Sequence, residues 1–329
     1  MRTIHPQFVM PEIEPFFALG YAHSGTTLLQ LLVMAGQDIV SGPETHFFTH
    51  VLEPIENWRR EGIPKEQLPG VLSRLEGRNS LPPGFREYAA TNLASDPISP
   101  SVLLHALMTW DPDTRTQRHV RWLEKTPAHI EFLDEILAMF PNAKIVHILR
   151  DPRDAISSEL ANQSCGSARA RRLFLFRHAL RWRTQIPDAL SRPEDRVLSV
   201  KYEDLAGSPK EVLRQTLSFL RLEYRENALV TFSHNFGTVV NADEKWKRLC
   251  SENRIINRSG VWKNRLSRRE ARIVELNCAK TMHACGYVEQ ESTRPRDATI
   301  RLQVLADRVS TRLFGSHPVI GNCPASPSS

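Results

Sequence analysis

The chain reads as an α/β protein of three layers, with a mostly parallel central sheet and helices on both faces. Three observations predict this. Apolar runs of strand length alternate with helical patterns along the 329 residues, the arrangement that builds parallel sheets. The run Ile145-Val146-His147-Ile148-Leu149 is almost continuously apolar, as in a strand covered on both sides. The run Phe16-Phe17-Ala18-Leu19 leads into a loop bounded by Gly20 and Gly25, and then into Leu28-Leu29-Gln30-Leu31-Leu32. That order is buried strand, tight turn, helix.

The elements follow in order. Strands are expected at Phe16–Leu19, Arg121–Leu123, Lys144–Leu149 and Arg196–Val200. The helix opening at Thr26 stops at Gly36. Thr126-Pro127 starts another, with proline at its first position and Ile130, Leu133, Leu137 and Phe140 along one face. Ser208-Pro209-Lys210-Glu211 has the pattern of a capping box, ahead of the apolar stripe Val212, Leu213, Thr216, Leu217 and Leu220. Ser267-Arg268-Arg269-Glu270 is a second such pattern, and its helix is expected to run to Gly286. Residues 50–115 break the alternation. They are helical and proline-rich, and are expected to form an insertion over the site that shapes the substrate pocket. Residues 1–290 are expected to be one domain. Residues 291–329 change composition, with an amphipathic helix near Ala298–Phe314 and a disordered tail at Pro324–Ser329.

Composition narrows the function. With 41% hydrophobic and 24% charged residues the chain is of ordinary globular type. No apolar run approaches the roughly twenty residues of a membrane span, and the first fifteen residues carry no signal-peptide core. A cytoplasmic protein is therefore expected. Five scattered cysteines form no CxxC pair and twelve histidines no ligand spacing, so no metal is expected. Cys278 and Cys285 read as core thiols. The formal charge of +6 favours anionic ligands. The arginines at 169–172 and 177–183 read as a solvated helix face, and no motif points to nucleic acid.

The chemistry concentrates at strand ends, where ligands of such sheets sit. In Gly20-Tyr21-Ala22-His23-Ser24-Gly25-Thr26-Thr27 the backbone N–H groups and a helix start converge on one spot suited to an anion. The Walker pattern requires lysine after its second glycine. Here Thr26 and Thr27 follow Gly25, so an anion is expected, but not in the manner of ATP. Glu124-Lys125-Thr126 and Arg150-Asp151-Pro152 lie at two other strand ends.

Together these segments resemble the PAPS-dependent sulfotransferases, over residues 14–60 and 118–288. Ala22 to Leu29 is similar to the family's 5′-phosphosulfate loop, and Leu149 to Ser158 to its 3′-phosphate motif. Val200-Lys201-Tyr202-Glu203-Asp204-Leu205 resembles the family's next shared stretch. Arg258-Ser259-Gly260 resembles its Arg-x-Gly closure over the cofactor. The resemblance implies a P-loop-NTPase-like fold, PAPS as co-substrate, PAP as product, and a sulfuryl group moved to a hydroxyl or amine. It assigns His23, Ser24, Gly25, Thr26 and Thr27 to the phosphosulfate. It assigns Arg150, Ser158, Arg258, Ser259 and Gly260 to the 3′-phosphate, and Tyr202 to the adenine, a core role for Tyr202 standing equally open. Arg153 is expected to be a structural partner of Asp151 or Asp154.

Lys125 matches the family's catalytic lysine, and Glu44 the glutamate base of the protein-tyrosine sulfotransferases. The histidine base of cytosolic members would stand at Pro127 and is absent. His46 and His129 are weaker candidates, His129 reading as a helix-face residue. His23 departs from the arginine or lysine usual at its place, and near neutral pH it is cationic only part of the time. The acceptor is expected to be a small molecule, a carbohydrate or a peptide. A non-catalytic nucleotide binder of this fold and an ATP-dependent kinase are the competing readings.

Overall fold

A computed structural model describes residues 9–10, 13–117, 121–163, 165–241, 244–289, 298–300, 302 and 305–306. The expected C-terminal tail, most of the helix before it, and Cys323 lie outside the described residues. In chain order the main elements are β1 (Phe16–Gly20), α1 (Thr26–Met34), β2 (Ile39–Ser41), α2 (Leu68–Glu76), α3 (Phe85–Asn92), α4 (Pro100–Thr109), β3 (Arg121–Glu124), α5 (Leu133–Met139), β4 (Lys144–Leu149), α6 (Pro152–Leu160), α7 (Ala168–Leu190), β5 (Val197–Lys201), α8 (Pro209–Phe219) and α9 (Arg268–Ala284). The chain divides into two compact units, Met1–Arg150 with Gln185–Arg258, and Asp151–Thr184 with Ser259–Ser329.

The first unit holds a five-stranded sheet in the order β2-β3-β1-β4-β5. Every neighbouring pair is parallel. Alternation along β1 sorts its side chains between two cores. Phe17 and Leu19 join Trp122 and Ile145 on one face; Phe16 and Ala18 join Leu123, Val146 and Ile148 on the other. Helices α1 and α8 cover the second face through Leu29, Leu32, Leu213 and Leu217. The first face is covered by α5 and by the irregular stretch before β3, through Val71, Leu75, Phe85, Leu103 and Leu104. Residues 50–115 thus supply one of the two hydrophobic layers.

Four expected strands are present, each within a residue of its expected ends. The strand β2 adds a fifth. It is three residues long, too short to carry a periodicity. The helix expected to open at Pro127 begins as a 3₁₀ segment, Pro127–Phe132, and turns α-helical only at Leu133. The expected capping box at Ser208 does not form, since no side chain caps α8. Ser208 instead closes the preceding short helix, with its N–H donating to the Asp204 carbonyl at 2.7 Å.

The second unit contains α6, α9 and most of α7. Its capping box is real: Ser267 Oγ accepts from Glu270 N–H, and the Glu270 carboxylate accepts from Ser267 N–H. Arg153 is a structural residue, as expected, holding Asp151 at 2.7 Å and Glu275 at 2.9 Å. Cys278 and Cys285 are buried and reduced, and burial pushes the Cys278 thiol well above its ordinary value. No described helix is long and apolar enough to cross a membrane.

Candidate active site

The glycine loop leaves β1 at Gly20, close against β4. A Cβ on Gly20 would stand 2.5 Å from the Ile148 carbonyl oxygen, so only glycine lets β1 and β4 meet there. Gly25 closes the loop in the left-handed region (φ 99°) as N-cap of α1, with no side-chain cap. A Cβ there would meet the Tyr202 ring at 2.6 Å. Between the glycines, His23 is also left-handed (φ 59°). Its carbonyl oxygen accepts from Arg150 Nη1 at 2.7 Å. Ser24, Thr26 and Thr27 are buried. The Ser24 hydroxyl finds no partner among the described residues, a costly state for a buried polar atom.

Arg150 ties this loop to the end of the same unit. Its Nη2 donates to the Arg258 carbonyl at 2.9 Å, and its guanidinium lies 4.3 Å from the centre of the Tyr202 ring. Each Nη thus has one N–H on a carbonyl oxygen, and Nε is buried with no partner among the described residues. Tyr202 is 5% exposed. Its hydroxyl donates to the Ile256 carbonyl and accepts from Arg258 N–H, each at 3.2 Å. Arg150 and Gly25 lie against its ring, an environment that suits the core alternative for Tyr202. Arg258 is half-buried. Ser158, Ser259 and Gly260 belong to the second unit. There Ser158 Oγ accepts from Arg265 at 3.0 Å. The Gly260 N–H, expected to face a phosphate, donates to Asp154 at 2.7 Å.

The charged centre lies at the carboxyl end of β3. Lys125 is fully buried and does not pair with Glu124; its ammonium donates to Glu44 Oε1 at 2.7 Å. Lys247 Nζ donates to the same oxygen, also at 2.7 Å, and is held by Glu244. Burial alone would raise the Glu44 carboxyl, but the two ammoniums outweigh it and hold that group well below the usual carboxylate range. Burial lowers Lys125 despite Glu44. Lys247, also opposed by burial, is raised by Glu44 and Glu244.

A second layer of hydrogen bonds fixes these groups. The Gln30 amide on α1 donates to Ser41 Oγ and the Gly42 carbonyl, at 2.8 and 3.0 Å. Ser80 Oγ donates to the Glu44 carbonyl at 2.6 Å. Glu124, wholly buried, accepts from Thr45 Oγ1 at 2.8 Å and Thr126 Oγ1 at 2.6 Å, and bonds His129 Nδ1 at 2.9 Å. His129 Nε2 accepts from Phe48 N–H at 3.2 Å. Both ring nitrogens of His129 are therefore engaged inside the fold. His46 Nε2 stands 3.7 Å from Glu44 Oε2. Burial pushes His46 down to about 4, against the pull of Glu44, so it is a neutral imidazole.

Sequence reasoning missed Lys247 and the buried roles of Glu124 and His129. A lysine 122 positions from Lys125 has no local signal. The Thr45-x78-Glu124 and Glu124-x4-His129 bonds are tertiary pairings that no periodicity encodes.

A family model described as the sulfotransferase family matches residues 15–226, which is more than half of the chain. The chain belongs to the sulfotransferase family. Among curated relatives, protein-tyrosine sulfotransferase 1 of Danio rerio is 24% identical over 218 residues, covering 65% of this chain and 54% of that protein. The protein-tyrosine sulfotransferase of Drosophila melanogaster is 23% identical over 224 residues, covering 66% and 40%. An uncharacterized protein of Aquifex aeolicus is 24% identical over 227 residues, covering 67% and 27%. The chain thus spans about a quarter to about half of the length of these relatives. Among solved structures, the sulfotransferase domain of the Synechococcus PCC 7002 olefin synthase aligns with a TM-score of 0.48 at 20% identity, over 84% of this chain and 98% of that one. A mouse sulfotransferase complexed with PAP aligns at 0.46 and 15%, over 90% of each chain.

Proposed function

We propose that the chain moves a sulfuryl group from PAPS to a hydroxyl or amine acceptor. The observation that carries this reading is the buried ammonium of Lys125, at a strand's carboxyl end and 2.7 Å from Glu44, in a member of the sulfotransferase family. The loop suits an anionic donor. The buried Ser24 hydroxyl and Arg150 Nε lack partners, and an anion accepting from them would remove the penalty of leaving them unpaired.

Sulfuryl transfer, like phosphoryl transfer, depends on positioning and on charge stabilisation at an in-line centre. The backbone of Ser24 to Thr27 and their hydroxyls hold the phosphosulfate end. Lys125 stabilises charge developing at the transferring group. His23 donates a hydrogen bond to the leaving oxygen, and Glu44 accepts the proton of the attacking hydroxyl. Arg150 and Arg258 supply positive charge at the 3′-phosphate, Tyr202 acting by fixing Arg150. PAPS supplies the activated sulfuryl group.

The test is a thermal-shift series with PAP, ATP and ADP. Ligand at a hundred times its dissociation constant stabilises by about 2.7 kcal/mol, so selective stabilisation by PAP is expected. Stabilisation by magnesium-ATP and not by PAP would overturn the reading in favour of a kinase. Radiolabelled PAPS with an acceptor panel then separates an enzyme from a binder. Several relatives are named protein-tyrosine sulfotransferases, which puts a tyrosyl peptide first in that panel.

A further inference from the structure

Lys125 has two demands on it. Its ammonium is bound to Glu44 in this structure, and the transfer reaction requires it at the donor. A buried ammonium that leaves a buried carboxylate strands a charge, and stranded charges in such places are neutralised by protons. Lys247 bears on that problem. It reaches the same Glu44 oxygen at the same 2.7 Å, from the 3₁₀ turn Lys245–Ser251. It is anchored there by Glu244, whose other carboxylate oxygen accepts from Asn241 N–H at 3.0 Å. The cluster therefore holds two ammoniums and two carboxylates, and Lys247 is tied to both carboxylates while Lys125 is tied to one.

We propose that Lys247 is the counter-ion that keeps Glu44 ionised while Lys125 is drawn to the anionic donor. The proposal rests on the sulfuryl-transfer reading above. Lys247 is a positioning residue: it touches neither donor nor acceptor, and acts through Glu44. Three states of Glu44 make the logic plain. With two ammoniums on Oε1 it is a very weak base. With none, burial protonates it. With Lys247 alone it is ionised and free of its strongest competitor for a substrate proton. The other groups near this point are His46 on the same loop, with Arg78, His50 and His129 acting on His46 in turn, and the Cys250 thiol, which burial pushes up to about 11 against the pull of Lys125 and Lys247. None of them can replace Lys247, because none bonds Glu44 as a cation.

The test needs no acceptor and no turnover. PAP is titrated into the wild type and into Lys247→Met at pH 6.5, in two buffers of different ionisation enthalpy, and the protons taken up per PAP bound are counted. Lys247→Met is expected to take up close to one proton more than the wild type. The same excess is expected for Lys247→Gln, which keeps an N–H donor without the charge. Lys247→Arg and the double variant Glu44→Gln/Lys247→Met are expected to show no excess. Equal proton counts in wild type and Lys247→Met overturn this inference while leaving the cofactor reading standing. Absence of PAP binding to the wild type overturns the cofactor reading itself, and this inference with it. A Lys247 that only held the turn in place would move the melting temperature but not the proton count.

Discussion

The glycine loop and the ion-pair cluster are built on opposite plans. The loop is made of backbone conformation: Gly25 at φ 99°, His23 at φ 59°, and a helix start without a side-chain cap. It leaves Ser24 Oγ and Arg150 Nε unsatisfied. The cluster is made of side chains, and its charges are cancelled internally by Lys125, Glu44, Lys247 and Glu244. One region holds its capacity for a ligand in unmet hydrogen bonds. The other holds its charges against each other until something draws one away. Substitutions in the cluster should therefore reach turnover and stability, and those of the loop's anion-binding hydroxyls should reach affinity, with His23, a loop residue placed at the leaving oxygen, the exception that reaches turnover.

The largest effect is expected from Lys125→Met. Removing a preorganised donor to a developing charge costs about a hundredfold to a thousandfold in kcat. Single-turnover kinetics should show that loss, with the melting shift from PAP largely kept. An equal collapse of both would mean that Lys125 belongs to the loop's task. Glu44→Gln is next. It leaves two ammoniums without their shared carboxylate, and breaking a buried pair in this way costs about 3–5 kcal/mol of stability. Lys125→Met leaves Glu44 with Lys247 and should cost less. Urea unfolding that ranks the two variants the other way would break the account of the cluster.

Acidification separates the regions next. Burial pushes His46, in the cluster, and His147, on β4 within the sheet, each down to about 4. Their folded values lie below the unfolded one near 6.5, so the neutral forms are the native ones. Their contribution is complete above about pH 6.5. It is lost as pH falls towards 4, where the unfolded chain binds protons that the fold refuses. Each is worth at most about 3 kcal/mol at the acid end. His46→Gln and His147→Gln should each flatten the stability profile between pH 6.5 and 4. A profile unchanged by His46→Gln would place that imidazole in water rather than beside Glu44.

His23→Ala follows. A positioned proton donor contributes about a hundredfold, so kcat should fall by about that factor while PAP affinity changes little. His23→Asn is the control, since asparagine tolerates the left-handed backbone of the position. Loss of affinity equal to the loss of kcat would move His23 from the cluster's chemistry to the loop's binding.

The same contrast explains what the sequence disclosed. The loop was legible because its parts are contiguous: two glycines, small hydroxyl residues, an apolar strand before and an apolar helix after. Lys125 was legible from its place at a strand's end and from motif resemblance, Glu44 from resemblance alone, and their 2.7 Å bond was not, because nothing in residues 44 and 125 states that β2 and β3 are neighbours. Lys247 carried no sign at all. Glu124 had no role assigned from the sequence, and is the buried hub of Thr45, Thr126 and His129. The strand β2 was hidden by its brevity. Ser208 was misread because its sequence pattern is shared by a helix stop and a helix start. Residues 50–115 were recognisable as helical, but that they form the core over one face of the sheet depends on which strands they meet.

The smallest effect gives the sharpest sign test. Ser24→Ala removes a hydroxyl that is buried and unpaired in this structure. Leaving such a group unmet costs about 1–3 kcal/mol, so its removal should leave the free protein as stable as the wild type or more so. A hydroxyl bonded to an anion contributes about 1.5–3 kcal/mol, so PAP should bind at least about tenfold more weakly. Stability and affinity then move in opposite directions, which no packing defect produces. Differential scanning calorimetry with and without PAP reads both. If Ser24→Ala destabilises the free protein and leaves PAP affinity intact, the hydroxyl is an internal strut, and the contrast between an unsatisfied loop and a self-satisfied cluster fails at its first residue.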